Sequence, residues 1–132
     1  MKYSIEAWIY NPIAKEILLL KVKTEQLSFW QPITGGIENG ESSEIACIRE
    51  IFKETGLEIE LTKLLQVGHY TVVIDEDLTI FKTLFLVETK QKDIRISDEH
   101  IDFMWTEVKK VPDILYWQSN QETFQKILEK LR

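Results

Sequence analysis

Residues 35–57, GGIENGESSEIACIREIFKETGL, decide how this sequence is interpreted. The segment has glycines near both ends and glutamates at positions 38, 41, 44, 50 and 54. Carboxylates four residues apart on an exposed helix repel each other by a few tenths of a kcal/mol, so a solvated acidic face is the usual explanation. The spacing of Glu50 and Glu54 indicates another, because two carboxylates on one side of a helix can hold a divalent cation such as Mg²⁺.

A helix is predicted over residues 44–55. Ser42 or Ser43 can serve as its N-cap, and Gly56 is placed to end it in the left-handed conformation. At about 100° per residue, the bulky apolar side chains fall on one side. We expect Glu50 and Glu54 to project together on the opposite side, over small neighbours. The apolar side is predicted to contain Ile45, Ile48, Ile51 and Phe52, and the small neighbours are Ala46 and Cys47.

Length and composition restrict the class of protein. The 132 residues are enough for one domain with a core, here predicted as a single domain over 1–132. The net charge of −6 argues against binding to a nucleic-acid polymer, which requires a basic surface. The single cysteine, Cys47, suits a reducing compartment and a packing role. No stretch approaches the roughly 20 apolar residues of a membrane span, so we expect no membrane partner and a cytoplasmic location.

The remaining segments read mainly as strands. Residues 2–10, 16–22, 57–74, 78–89 and 101–108 are rich in β-branched and apolar residues, 28–36 is a short extended piece, and 93–100 is a polar loop. Residues 120–132 form an amphipathic pattern typical of a helix. Strands on both sides of one central helix, with a helix at the end, predict an α/β sandwich around a mixed sheet.

Residues 35–57 resemble the Nudix box, G-x5-E-x7-R-E-U-x-E-E-x-G-U, in which U is a bulky aliphatic residue. Gly35 and Glu41 are separated by five residues, and Arg49-Glu50 follow after seven more. The end of the motif matches Ile51, Glu54, Gly56 and Leu57. The motif departs at Lys53, where a glutamate is expected.

The resemblance to Nudix hydrolases implies an α/β/α sandwich, with the box helix on one side of a mixed sheet and the C-terminal helix on the other. It also implies Mg²⁺-dependent cleavage of a phosphoanhydride in a small nucleoside triphosphate-like substrate. Mn²⁺ is the alternative cation that the resemblance allows. Because Lys53 stands where many members have a metal-binding glutamate, we expect fewer bound ions and weaker Mg²⁺ binding than in a complete box.

Two further stretches resemble bacterial dihydroneopterin triphosphate diphosphatases. These are FWQPITGGIENGE, residues 29–41, and EHIDFMWTEVKKVPDILYWQSNQETF, residues 99–124. Carried over by position, the metal ligands are Glu50, Glu54 and Glu99, and the substrate-binding residues include Thr34 and Ser119. Val22 stands about where that branch has an arginine, flanked by two lysines.

The residues themselves suggest further substrate contacts. Gly35 and Gly36 allow backbone to approach a ligand closely. Trp30 is a candidate to stack on a pterin or purine ring, as are Trp8, Phe29, Tyr116 and Trp117.

The resemblance also implies catalytic roles for Glu50, Glu54, Glu99 and Arg49. Glu50 and Glu54 act mainly as ligands, and the general base is Glu99, or Glu54 through a bound water. Arg49 orients the box carboxylates, and Glu41 supports the shape of the loop. His100 is interpreted as structural, because in a strand it would face away from Glu99.

Three functions remain open at this point. The first is a pyrophosphohydrolase, with dihydroneopterin triphosphate as the leading candidate substrate. The second is a broader hydrolase of (deoxy)nucleoside triphosphates or dinucleoside polyphosphates. The third, suggested by Lys53, is a ligand-sensing Nudix module without turnover. Any of them is compatible with a homodimer, because many relatives dimerise.

Overall fold

A computed structural model describes residues 1–131 of the chain, and in these residues seven strands form one sheet. The strands are β1 (Lys2–Asn11), β2 (Glu16–Lys23), β3 (Ser28–Gln31), β4 (Ile33–Gly36), β5 (Leu64–Val73), β6 (Thr79–Glu88) and β7 (Asp102–Glu107). The helices are α1 (Ser43–Thr55), α2 (Val111–Ile114) and α3 (Gln118–Leu131). Short 3₁₀ turns cover Leu61–Lys63 and Val108–Lys110.

Strand β1 organises the sheet. It runs parallel to β6 and antiparallel to β2 and β4, so the sheet is mixed as predicted. Strand β2 continues the sheet to β3 and β7, and β6 continues it to β5. Alternate residues of β1 point to opposite faces, and both faces are buried along the middle of the strand. Such a strand needs a layer of structure on each side.

The two long helices belong to those two layers. One core cluster contains Ile5, Ala7 and Ile9 of β1 together with Cys47 and Ile51 of α1. The other contains Trp8, Ile17 and Leu19 with Phe124 and Ile127 of α3. The predicted α/β sandwich, with the box helix on one side and the C-terminal helix on the other, is confirmed.

Helix α1 has the predicted ends but not the predicted buried face. The Ser42 side chain accepts a hydrogen bond from the amide of Ile45, and Gly56 takes a left-handed φ of 77°. The expectation that Ile45 and Phe52 would belong to the buried apolar face is wrong, because 49% and 46% of their surfaces are exposed. The buried side chains are Ala46, Cys47, Glu50, Ile51, Glu54 and Thr55. Small residues pack against the sheet here, so the two glutamates lie on the buried side of the helix.

Two boundaries differ by two residues or more from the sequence prediction. The predicted strand over 57–74 begins only at Leu64, because a 3₁₀ turn intervenes, and a bulge between Gln66 and Gly68 shifts its pairing with β6. Helix α3 begins at Gln118, two residues before the predicted start, and the predicted last residue, Arg132, lies outside the described residues. Within residues 1–131, no helix is long and apolar enough to cross a membrane.

Candidate active site

Gly35 lies directly under the side chain of Glu50. A Cβ atom at position 35 would stand 2.3 Å from Cδ and 2.6 Å from Oε2 of Glu50, distances that real side chains do not adopt. The residue at position 35 must therefore be glycine for Glu50 to keep its place, since only glycine leaves this space empty. Glu50 itself is 5% exposed, so its carboxylate is held between α1 and the end of β4.

Arg49 connects the loop before α1 to the helix. Its Nε and Nη2 donate to the two oxygens of Glu41 at 2.7 and 2.9 Å, and Nη2 also donates to the carbonyl of Gly36 at 2.9 Å. Its Nη1 donates to Oε1 of Glu50 at 2.8 Å. Glu41 in turn accepts the amide of Glu38 at 2.9 Å. This network fixes the loop and orients one oxygen of Glu50, because a planar guanidinium allows few geometries for paired bonds.

The same contacts change the ionisation of this pair. The hydrogen bond from Arg49 lowers the pKa of Glu41, and the hydrogen bond to Glu41 raises the pKa of Arg49 above its usual range. Both groups therefore stay charged at neutral pH. Glu41 thus takes part in the loop structure, while Arg49 contacts both the loop and a predicted metal ligand.

The two carboxylate oxygens of Glu54 have different surroundings. Oε2 accepts a hydrogen bond from Oγ of Ser97 at 2.8 Å and lies 2.6 Å from Nδ1 of His100. Oε1 is buried and has no hydrogen-bond partner among residues 1–131. Burial raises the pKa of Glu54, the hydroxyl of Ser97 opposes that shift, and the neighbouring carboxyl of Glu99 adds to it. Glu54 is therefore a buried acid with one oxygen available.

His100 lies against Glu54, which corrects the interpretation of it as a residue facing away. Residues 97–100 form a turn closed by a hydrogen bond from the His100 amide to the Ser97 carbonyl at 3.1 Å, so the alternation of a strand does not apply. The contact between Nδ1 of His100 and Oε2 of Glu54 does not have the geometry of a good hydrogen bond. At 2.6 Å, however, an unprotonated Nδ1 would direct its lone pair at the carboxylate oxygen and repel it. We therefore place the proton on Nδ1. Burial lowers the pKa of His100, which favours the neutral ring.

Lys53 and Glu99 form an ion pair at the mouth of this site. Nζ of Lys53 donates to Oε1 of Glu99 at 3.1 Å and lies 3.8 Å from the open oxygen, Oε1, of Glu54. The bond to Glu99 raises the pKa of Lys53, with a further contribution from the charge of Glu50. The same bond lowers the pKa of Glu99. The ammonium of Lys53 therefore lies near the three carboxylates that were predicted from the sequence as metal ligands.

Two of these three carboxylates are suited to Mg²⁺ as they stand. The donor-free oxygen of Glu54 and the carboxylate of Glu50 supply hard anionic oxygens on one side of α1, which is the chemistry Mg²⁺ requires. Glu99 is engaged by Lys53 instead. In the described chain, no three Asp, Glu, His or Cys side chains are assembled closely enough to form a metal cluster. The residues fit a metal held by Glu50 and Glu54, with Glu99 joining only if it leaves Lys53.

The predicted substrate-binding residues do not all gather at these carboxylates. Gly35 and Gly36 contact Glu50 and Arg49 as described, whereas Thr34 is opposite Glu6 in the sheet and donates to the carbonyl of Ile5 at 3.2 Å. Trp30 packs against the α3-side core, and Ser119 lies in the first turn of α3. The predicted substrate-binding residues thus form two groups, one beside the carboxylates of α1 and a second group on the α3 side of the sheet.

Exposed aromatic side chains accompany this second group. Tyr116 and Trp117 are 56% and 42% exposed, and Phe29 contacts both, with ring centroids 5.8 and 5.1 Å away. Next to Phe29 in the sequence, Trp30 lies beneath the ammonium of Lys21 at 5.5 Å. Large aromatic rings on a surface suit stacking on a planar heterocycle.

Glu6 is a buried acid that the sequence analysis did not single out. It is fully buried beneath α3, where Oε1 accepts from Lys82 and Asn120, both at 3.1 Å, and Oε2 accepts from the Trp8 indole at 2.9 Å. Trp8, a candidate for ring stacking, is instead fully buried in the core. A charged residue in the middle of an apolar strand was the available signal, since buried charges are retained only with partners.

Similarity to known proteins agrees with the fold. The model of the NUDIX domain matches residues 3–127. A dihydroneopterin triphosphate diphosphatase from Haemophilus influenzae is 30% identical over 141 aligned positions, covering 98% of this chain and 89% of that protein.

Two solved structures share the fold. The dihydroneopterin triphosphate pyrophosphohydrolase of E. coli superposes with a TM-score of 0.81 at 20% identity, covering 97% of this chain and 95% of the other. An Ap4A hydrolase of C. elegans superposes with a TM-score of 0.75 at 23% identity, covering 97% of each chain. With the family match spanning nearly all of the chain and the box residues arranged around α1, this protein belongs to the Nudix family and is a Nudix hydrolase.

Proposed function

We propose that this Nudix hydrolase cleaves a phosphoanhydride bond in a pterin or nucleoside triphosphate, with dihydroneopterin triphosphate as the leading candidate. The observation that carries this proposal is the full-length similarity to the Haemophilus influenzae dihydroneopterin triphosphate diphosphatase. The site supports it, because α1 carries buried carboxylates with an open oxygen and the rings of Tyr116 and Trp117 are exposed beside Phe29. In such a substrate, the triphosphate would bind at the carboxylates through the cation, and the heterocyclic ring would stack on the aromatic side chains.

The chain's own residues supply position and charge. Mg²⁺, when bound, neutralises negative charge on the phosphate oxygens and favours attack by water at phosphorus. Glu50 and Glu54 would hold it. Arg49 keeps an oxygen of Glu50 oriented, and Ser97 and His100 keep Glu54 turned so that its Oε1 stays open. The proton of the attacking water passes to Glu99, or to Glu54 through a water; both alternatives remain.

The aromatic patch of Phe29, Tyr116 and Trp117 would bind the heterocycle. Stacking on exposed rings does not distinguish strongly between pterin and purine, because both present flat π-faces. A broader hydrolase of nucleoside triphosphates or dinucleoside polyphosphates is therefore the second candidate. It is favoured by the fold shared with the C. elegans Ap4A hydrolase.

A substrate panel tests the proposal. Dihydroneopterin triphosphate, the common deoxynucleoside triphosphates and diadenosine tetraphosphate are compared by kcat/KM in MgCl₂. Release of phosphate or pyrophosphate is the readout for the triphosphates, and chromatographic separation of the nucleotide products is the readout for diadenosine tetraphosphate. We expect dihydroneopterin triphosphate to rank first. A higher rank for the nucleotides would favour the broader hydrolase, and binding without turnover of any compound would favour a ligand-sensing module.

A pair of variants connects the ranking to the aromatic patch. Trp117→Ala removes an exposed ring next to Phe29, and we expect it to raise KM by about tenfold, in line with a stacking contact of 1–3 kcal/mol. Ile13→Ala removes an exposed apolar side chain in the turn between β1 and β2 and serves as the control. Equal, small changes in the two variants would show that the ring is bound elsewhere.

A further inference from the structure

The ion pair between Lys53 and Glu99 lies where a divalent cation would need Glu99. Nζ of Lys53 is 3.1 Å from Oε1 of Glu99 and 3.8 Å from Oε1 of Glu54. That Glu54 oxygen is buried and has no hydrogen-bond donor within residues 1–131. The ammonium therefore occupies the space between an engaged surface carboxylate and an open buried one.

The two partners of this pair can separate easily. The side chains of Lys53 and Glu99 are 47% and 61% exposed, so water competes for both charges. Exposed ion pairs contribute little to stability, because the ordering of two long side chains and solvent screening offset the attraction. Glu54 contrasts with them, since its carboxylate is 1% exposed and is fixed at Oε2 by Ser97. The site thus combines a fixed carboxylate, that of Glu54, with an exposed carboxylate, that of Glu99, which can exchange its partner.

We propose that Lys53 is an internal counter-ion that withholds Glu99 from a divalent cation until its ammonium swings away. Lys53 thereby acts as a positioning residue, through Glu99, for the proposed metal-dependent function on which this inference rests. In the substrate-free protein the ammonium balances Glu99 and the open oxygen of Glu54. When a divalent cation and a polyanionic substrate arrive, Lys53 leaves, Glu99 becomes available, and the long lysine side chain can reach toward the substrate's negative charge.

Calorimetric titration with MgCl₂ alone, on the substrate-free full chain, tests this role. Lys53→Met keeps the length of the side chain and removes its charge. We expect it to tighten Mg²⁺ binding by about fivefold, because Glu99 is then no longer held by the ammonium and can join the cation. Lys109→Met is the matched control, since Lys109 is 81% exposed and pairs with Glu107 at 3.7 Å in another part of the chain. It should leave Mg²⁺ affinity within twofold of the wild type.

A double-mutant cycle shows whether Lys53 acts through Glu99. In a Glu99→Gln background, Lys53→Met should change Mg²⁺ affinity by less than twofold, because there is no carboxylate left to release. A fivefold effect that persists in this background would overturn the proposal and make Lys53 a general electrostatic influence on Glu50 and Glu54. An affinity of Lys53→Met within twofold of the wild type, or undetectable Mg²⁺ binding in both, would overturn it as well.

The outcome separates this inference from the proposed function. A wild-type protein that hydrolyses a triphosphate, combined with no effect of Lys53→Met on Mg²⁺ affinity, leaves the function standing and removes the counter-ion role. A wild-type protein without turnover, combined with the expected cycle, removes the function and retains the counter-ion role. The thermal midpoint of each variant, expected within a few degrees of the wild type, shows that the fold is unchanged.

Discussion

Two buried glutamates, Glu6 and Glu54, lie on opposite sides of the sheet and have different surroundings. Both are at most 1% exposed. Glu6 receives donors on both oxygens, from Lys82 and Asn120 on one and from Trp8 on the other. Glu54 receives one hydrogen bond on Oε2, from Ser97, whereas its Oε1 receives none in the part of the chain that the structure describes.

This difference separates a structural carboxylate from an available one. A buried charge is tolerated when partners satisfy it, and removing one partner of such a pair is costly. Glu6 meets that condition and ties β1, β6 and α3 together. Glu54 does not meet it, because burial disfavours its charge and one oxygen is unsatisfied. An acid in this state gains from a cation that the chain does not itself provide.

The largest expected effect is on stability, from Glu6→Gln. The change leaves the ammonium of Lys82, 13% exposed, without its negative partner. We expect a loss of about 3 kcal/mol in the free energy of unfolding and a fall of about 10 °C in the thermal midpoint. Thermal and urea unfolding followed by circular dichroism measure both.

Glu16→Gln is the matched control for Glu6. It breaks the ion pair of Glu16 with Lys92, which is 2.6 Å long but more exposed, and should cost less than about 1 kcal/mol. Similar losses for the two variants would contradict the interpretation of Glu6 as a satisfied structural charge.

Glu54→Gln should give the opposite pattern. It removes the charge that would hold Mg²⁺, so kcat should fall by at least about 100-fold, equivalent to about 2.7 kcal/mol of transition-state stabilisation. The thermal midpoint at neutral pH should not fall. Because burial raises the pKa of Glu54, its charged form is disfavoured in the fold, and a neutral side chain avoids that cost. Steady-state kinetics and thermal unfolding test the two statements together.

Activity within a few-fold of the wild type would remove Glu54 from the metal site. A large fall in the midpoint of this variant would instead make Glu54 structural, like Glu6, and the contrast between the two would disappear.

A smaller effect is expected at Glu99, which lies on the exposed loop before β7. Glu99→Gln should lower kcat by about tenfold or more, whether Glu99 binds the cation or accepts the proton. Asp98→Asn is the control, because the neighbouring carboxylate is also exposed and carries the same charge. Equal and small changes in kcat would show that residues 97–100 form only a solvated turn, leaving Glu54 to act without this partner.

The smallest effect concerns Cys47, on the same buried side of α1 as Glu54. Burial raises the pKa of the Cys47 thiol to about 12, so almost no thiolate forms at pH 8. We expect no modification of the folded protein by iodoacetamide over an hour at pH 8 and full modification in urea. Mass spectrometry measures both. Rapid modification of the folded protein would mean that this side of α1 opens to solvent, and the burial of Glu54 would then be in question.

Much of the fold could be predicted from sequence because its signals are local. Cap residues and the periodicity of apolar side chains identified α1, and runs of β-branched and apolar residues identified the strands of the sheet. The family resemblance predicted that the two long helices would lie on opposite sides of the sheet. The start of β5 was placed too early, since apolar content does not distinguish a strand from a 3₁₀ turn.

The candidate site was only partly predictable because its details depend on tertiary contacts. Helical periodicity grouped Glu50 with Glu54 but assigned them to the wrong side, since it favours bulky residues such as Ile45 over the small ones that allow close packing. The contact of His100 with Glu54 depends on a turn that brings a distant loop onto α1. Two of the three donors to Glu6, Lys82 and Asn120, are 76 and 114 positions away, a separation that no local pattern contains.

The pairing of β1 with β6 has a consequence for the order in which the chain acquires structure during synthesis. Residues 2–10 of β1 each pair with a residue 78 positions later, as Ile5 does with Thr83. At ribosomal rates of 5–20 residues per second, that partner is made roughly 4 to 16 s after β1. Until then β1 lacks its neighbour β6, and the apolar residues of β1 are exposed to other chains. Contacts of such long range also slow refolding, so the nascent chain is most vulnerable to aggregation before residue 88 emerges.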